Sequence, residues 1–224
     1  MRSLTWKTAV AIASVAVVGL SGISSASASS VPAPLASAGE IADYEADFSA
    51  AAANDSEVTN DLDKYLALSD ADQARFVAIM TSEDPLSAPE VMTTETEDTT
   101  KTVANAVEGS AVSRAATVYD VTSSWSSSNS LFGVKIGQFD QTFKYQTGSN
   151  KVLSSQYCKG SFTGFSGPFS LSTSDSHFVT SGRGTCITDF RLSFVYEGSG
   201  WTANKRMTLV VNGPGIVSKT LVNI

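Results

Sequence analysis

The sequence predicts a modular α+β fold: a short, acidic, N-terminal helical arm followed by an all-β antiparallel sandwich or small barrel. Three observations predict it. Residues 29–112 carry 17 acidic and 3 basic side chains, whereas residues 113–224 carry 5 acidic and 10 basic ones, so the formal balance swings from −14 to +5. Apolar spacing changes at about the same place, from intervals of three and four to intervals of two. Texture changes with it, from Ala/Asp/Glu to Ser/Gly/aromatic. Two modules of opposite charge in one chain predict that one docks on, guards or solubilises the other.

The first element is an export signal. Arg2 and Lys7 precede an uncharged apolar run, Ala9–Leu20, and small residues lead to Ala26-Ser27-Ala28, the A-x-A pattern for cleavage between Ala28 and Ser29. Residues 1–28 are therefore expected to be removed. The run is short of the ~20 apolar residues that span a bilayer, and no later segment approaches that length. The mature chain is expected to be a secreted, extracellular protein without a transmembrane segment. Loss of Arg2 and Lys7 moves the formal charge from −7 to −9, which argues against nucleic acid as a partner. In an oxidising space the only two cysteines, Cys158 and Cys186, are expected to form a disulfide. With His177 as the sole histidine, Cys158, Cys186 and His177 fall short of the four ligands of a structural zinc site, so neither a metal nor a cofactor is expected.

Residues 29–89 form the acidic helical region. Val31-Pro32-Ala33-Pro34 is a stiff extended lead-in. Ile41, Tyr44 and Phe48 then recur at helical spacing, followed by Val58, Leu62, Tyr65 and Leu66. Ser69 is placed to cap a third helix, with Asp70 and Asp72 in its first turn and Phe76, Val77, Ile79 and Met80 on its apolar face. Pro85 and Pro89 end regular structure. So few large apolar residues predict a small hairpin packed on something else. Asp61, Asp63, Asp70 and Asp72 lack the Gly and terminal Glu of an EF-hand loop and fit acid-rich helix starts better. Residues 90–114 have the composition of a flexible Thr/Glu linker, with a short helix between Thr102 and Val107. Arg114 is the expected site of proteolytic nicking, which would make the acidic region a propeptide; a plain tether is the alternative.

Residues 115–224 form the basic β domain. Phe139, Phe143 and Tyr145 alternate with Asp140, Thr142 and Lys144, and Thr147-Gly148-Ser149-Asn150 turns the chain into a return strand ending at Cys158. Cys186, Phe190, Leu192, Phe194 and Tyr196 share a face, as do Met207, Leu209 and Val211. Asn212-Gly213-Pro214-Gly215 leads into a last strand, Ile216–Val222. Short strands punctuated by Gly turns predict an antiparallel sandwich or barrel.

Candidate chemistry is sparse. Asp175 and His177 lie two apart and would project from one face of a strand, but no G-x-S-x-G elbow accompanies them. The five carboxylates of this half show no paired pattern of a glycosidase. Trp125, Trp201, Tyr119 and Tyr157 fall at expected strand ends or turns, where exposed aromatics stack on sugar rings. The competing expectation is that both tryptophans are core anchors. The loop from Phe162 to Phe169 is either a lid or a packed connection.

With its Ala/Ser-rich signal, the LSDADQARFVAIM stretch at Leu68–Met80 and FDQTFKYQTGSNKV at Phe139–Val152, the chain resembles small exported actinobacterial proteins. The resemblance implies export and a β domain and transfers no catalytic residue. The leading expectation is a non-enzymatic binding or surface-active protein whose basic domain engages glycan or anionic cell-envelope polymer, with the acidic arm as an intramolecular leader or mask. The alternative is a secreted hydrolase or antimicrobial effector centred on Asp175 and His177 and held inactive by its leader.

Overall fold

The computed structural model describes residues 35–53, 55–104, 117–164, 169–196 and 199–224. The signal segment, its Ala28–Ser29 junction and Arg114 lie outside the described residues.

Three helices come first, each started by the cap its sequence offers. Helix α1 (Ala38–Ala52) begins at Ser37, whose hydroxyl accepts from the Glu40 amide while the Glu40 carboxylate accepts from the Ser37 amide. These reciprocal bonds satisfy two donors that the first turn leaves open, and they hold the Glu40 carboxyl below its usual value. Asp55 caps α2 (Ser56–Leu66) and Ser69 caps α3 (Asp70–Met80). The apolar faces meet in an aromatic nucleus. Tyr44, Phe48, Tyr65 and Phe76 are all buried, with ring centroids 5.2–6.0 Å apart. Edge-on and tilted contacts of this kind let four large rings replace a larger aliphatic core.

Eight strands follow: β1 (Val91–Val103), β2 (Tyr119–Leu131), β3 (Val134–Gly148), β4 (Lys151–Thr163), β5 (Phe169–Thr180), β6 (Arg183–Tyr196), β7 (Ser199–Val211) and β8 (Ile216–Asn223). They form two antiparallel four-stranded sheets in simple chain order, β1-β2-β3-β4 and β5-β6-β7-β8. The expected order of helices followed by β structure holds, and neither sheet closes on itself. Three hairpins turn on two residues that both have positive φ: Phe132-Gly133, Ser149-Asn150 and Ser181-Gly182. That backbone matches the twist of the flanking strands, and glycine adopts it without steric cost.

One expectation is corrected here. Residues 91–103, expected to be linker, form β1, and all thirteen pair with β2. Thr102 and Val103, expected to open a short helix, end that strand. Threonine's branched Cβ suits extended backbone, and the polar side chains suit an edge strand that must not recruit another. All of β1 beyond Val91 is exposed.

The change of charge near residue 113 is not a change of packing. Residues 33–224 make one compact unit, and side chains from α1–α3 belong to the same contiguous hydrophobic cluster as those of both sheets. Helix α2 packs against β3, where Glu57 and Lys135 form an ion pair. Between the sheets, Phe139 of β3 meets Phe190 of β6 with centroids 5.2 Å apart. Buried Gln141 of β3 donates from Nε2 to Thr188 Oγ1 of β6 at 3.0 Å. Neutral polar groups this deep need such partners to offset their lost hydration.

Candidate functional site

The two sheets leave two seams, and they differ. Along the first, between β4 and β5, covalent and polar ties close the gap. Cys158 and Cys186 form the expected disulfide, with their Cα atoms 5.5 Å apart. Asp175 Oδ1 accepts from the Gly160 amide at 2.9 Å and from the Thr188 hydroxyl at 2.7 Å, and Lys159 Nζ lies 3.5 Å from Oδ2. Gly160 is required at this crossing. A Cβ there would collide with Thr188 Cγ2 and lie 2.8 Å from Phe190 Cζ. His177 Nδ1 lies 2.9 Å from Ser155 Oγ on the exposed side of the seam. Asp175 and His177 thus share a strand but not a hydrogen bond: the carboxylate serves the seam, and the ring meets a different hydroxyl.

The second seam, between β1 and β8, is held by one ion cluster. Lys219 Nζ of β8 lies 3.1 Å from Glu95 and 3.2 Å from Glu97, both on β1. The hydrogen bonds that Lys219 donates to these carboxylates, to Glu95 first, raise its pKa above the usual value. Outside the cluster lies an open cleft of about 600 Å³ lined by Glu97, Asp98, Thr99, Asn212, Pro214 and Ile216. Beside it lies a second, partly open cavity of about 210 Å³, lined by Thr93, Glu95, Ser127, Asn129, Lys205 and Phe139, with Leu86 and Leu221 beside them.

The register explains why this cavity is polar. The buried row of β2 runs Val121, Ser123, Trp125, Ser127, Asn129, Leu131, so half of an inward-facing row is hydrophilic. Thr93, Glu95, Glu97 and Thr99 of β1 stand opposite Asn129, Ser127, Trp125 and Ser123 and share that face. Ser123 is satisfied: its hydroxyl lies 3.0 Å from both Tyr145 Oη and Thr99 Oγ1. Asn129 accepts from Thr93 Oγ1 at 2.9 Å. Ser127, at 0% exposure, has no hydrogen-bond partner for its hydroxyl among the described residues. Such a group costs about 1–3 kcal/mol in a folded chain unless something supplies the bond.

Lys205 completes the cavity from β7. It stands opposite Phe190 on the row that carries Met207 and Leu209 inward. Burial lowers its pKa, and attraction to the more distant Asp84 partly opposes the shift. Among the described residues no carboxylate lies within ion-pair distance of its ammonium.

The aromatic candidates are placed differently from the expectation that they line an exposed rim. Trp125 is 1% exposed and Trp201 6%, and Trp201 stacks on Phe194. Neither offers a ring face to solvent, because both fall on inward rows of their strands. Tyr119 is partly buried, with the Lys101 ammonium 3.9 Å from its ring centroid, and Tyr157 is 43% exposed beneath Lys144. The structure therefore does not bring these four aromatics to one place. Phe162 is buried on β4, packed on Phe139, and residues 165–168 of the expected lid lie outside the described residues. Among the described residues no group of three or more His, Cys, Asp or Glu could hold a metal ion, and no helix is long and apolar enough to cross a membrane.

Thr93, Glu95, Ser127, Lys205 and Lys219 of the second seam carry no local motif in the sequence. The signal that could have found them is the stretch SSWSSSNS at Ser123–Ser130, which is hydrophilic on both parities of a strand whose neighbour, β3, is strongly apolar on one. Comparison with protein-family models, with curated proteins and with solved structures finds no match to this chain.

Proposed function

We propose that this chain is an exported binding protein, not an enzyme, and that it takes a small polyhydroxylated ligand, a single sugar or glycan end, into the seam between β1 and β8. The single observation that carries the reading is the unpartnered hydroxyl of Ser127, fully buried on the wall of a 210 Å³ cavity whose other walls offer Thr93, Asn129, Glu95 and Lys205. The volume is below the ~300–1,000 Å³ of pockets for drug-sized ligands. Apolar Leu86, Phe139 and Leu221 beside those polar groups suit a ring with hydroxyl edges and C–H faces. The two sheets are read as layers of a β-sandwich, in keeping with the Phe139–Phe190 contact and the disulfide between them.

In this reading the acidic stretch of residues 29–112, helices and β1 together, is part of the site as well as a cover for basic residues. It supplies Leu86, Thr93 and Glu95 to the cavity and pairs Glu57 with Lys135 and Glu95 and Glu97 with Lys219. Export rests on Arg2, Lys7, the Ala9–Leu20 run and the Ala28–Ser29 junction. The test is ligand-observed NMR of the full mature chain with D-glucose and D-glucuronate, alongside Ser127→Val and Asn129→Leu. Saturation transfer that disappears in both variants supports the site; no transfer to either sugar, or transfer that survives both substitutions, overturns it. Turnover of a polymer substrate that is lost on His177→Ala would instead favour the hydrolase.

A further inference from the structure

Resting on that reading, we infer that the seam cavity selects a ligand bearing a carboxylate, a sugar acid in preference to a neutral sugar, and that Lys205 is the residue that receives the acid group.

The inference follows from which hydrogen-bonding groups of the cavity are already committed. Glu95 is the only carboxylate on its wall among the described residues, and its Oε2 is engaged at 3.1 Å by Lys219, an ammonium that Glu97 shares. The Asn129 side-chain oxygen is taken by the Thr93 hydroxyl, which spends its proton there. The donors left to address a ligand are the Asn129 amide N–H groups, the Ser127 O–H and the Lys205 ammonium, of which Lys205 alone carries a charge. An ammonium with neutral donors beside it fits a carboxylate. A neutral sugar would leave the ammonium without a partner in a half-desolvated place. Asp84 does not fill that role, since it acts on Lys205 only from beyond ion-pair distance.

A carboxylate on an ammonium also accounts for a feature the neutral reading leaves idle. Lys205 stands on an inward row, between Phe190 and Asn223 of the neighbouring strands, where an apolar residue would be the cheaper choice.

The test is isothermal titration of the full mature chain with three probes: D-glucuronate, D-glucose and acetate. Glucuronate is expected to bind roughly tenfold or more tightly than glucose, the difference a charge-assisted hydrogen bond makes, with acetate weaker than both. Lys205→Met should erase the preference while Lys205→Arg keeps it, and circular dichroism should show both variants folded. Equal affinity for glucose and glucuronate, or a preference that survives Lys205→Met, overturns the acid-group inference and leaves the sugar site standing. Acetate binding as tightly as glucuronate overturns the sugar-acid assignment in favour of any small carboxylate. Binding of none of the three overturns both this inference and the proposed function.

Discussion

Replacing Ser127 with alanine is expected to leave the fold at least as stable as it is now, whereas the same change at Ser123 weakens it. The two residues are two positions apart on one buried row, and both are at 0% exposure. Ser123 makes two hydrogen bonds of 3.0 Å, to Tyr145 and Thr99. Each such bond contributes about 0.5–1.5 kcal/mol, so Ser123→Ala should cost about 1–3 kcal/mol. It also strips a partner from a Tyr145 hydroxyl whose pKa is already raised by burial. Ser127→Ala gives up no bond to any described residue and removes a hydroxyl whose desolvation is uncompensated. A gain between zero and about 1 kcal/mol is expected, leaving the two variants about 1–4 kcal/mol apart. With an m-value of about 2 kcal/mol/M in urea, their unfolding midpoints should differ by about 0.5–2 M. A binding site that retains a destabilising group is a familiar exchange of stability for function. If Ser127→Ala destabilises as much as Ser123→Ala, the hydroxyl holds the fold together and is not reserved for a ligand.

Three other outcomes follow from the first seam and the sheet surface. Cys158→Ser with Cys186→Ser should lower stability by about 3–4 kcal/mol, the loop-closure value for residues 28 apart, and reductant should lower the melting temperature of the native chain but not of the variant. Gly160→Ala should cost at least about 1–3 kcal/mol through overpacking against Thr188 and Phe190, and adding Thr188→Ser should recover part of the loss, because the serine keeps the bond to Asp175 while removing the obstructing methyl. Asp189 is held below its usual pKa by paired hydrogen bonds from Arg206, so its contribution is present above the unfolded value near ~4 and lost as pH falls through the depressed one. Asp189→Asn should flatten that acid limb in thermal melts between about pH 5 and 2, and an unchanged limb would show the pair to be inert.

Local signals carried the parts of the fold that could be read from sequence. Ser69 followed by Asp70 and Asp72 marks a helix start because capping acts within one turn. Ser149-Asn150 marks a hairpin because the turn is two residues long. The cysteine pair was legible from cysteine count and the expected export, since two thiols in an oxidising space have one intramolecular pairing. What was hidden depends on distant segments. The Thr/Glu run of β1 has the composition of a solvated linker and of an edge strand alike, and only its pairing with β2 separates the two. For the tryptophans the sequence leaves two placements, exposed rim and core anchor, and the structure has the second; strand parity decides burial, and the parity of Trp125 is set by its register with Gln141, which no local pattern encodes. The cavity joins Thr93, Ser127 and Lys205 from three separate strands, so its polarity emerges only when the sheets face each other.

The central claim is that the β1/β8 seam is the binding site, and backbone amide NMR on the full mature chain tests it most directly. On titration with D-glucuronate, saturable shifts are predicted at Thr93 and Glu95, at Ser127 and Asn129, and at Lys205 and Leu221. Shifts confined to the other seam, around Ser155 and His177, or no saturable shift at all, would contradict it.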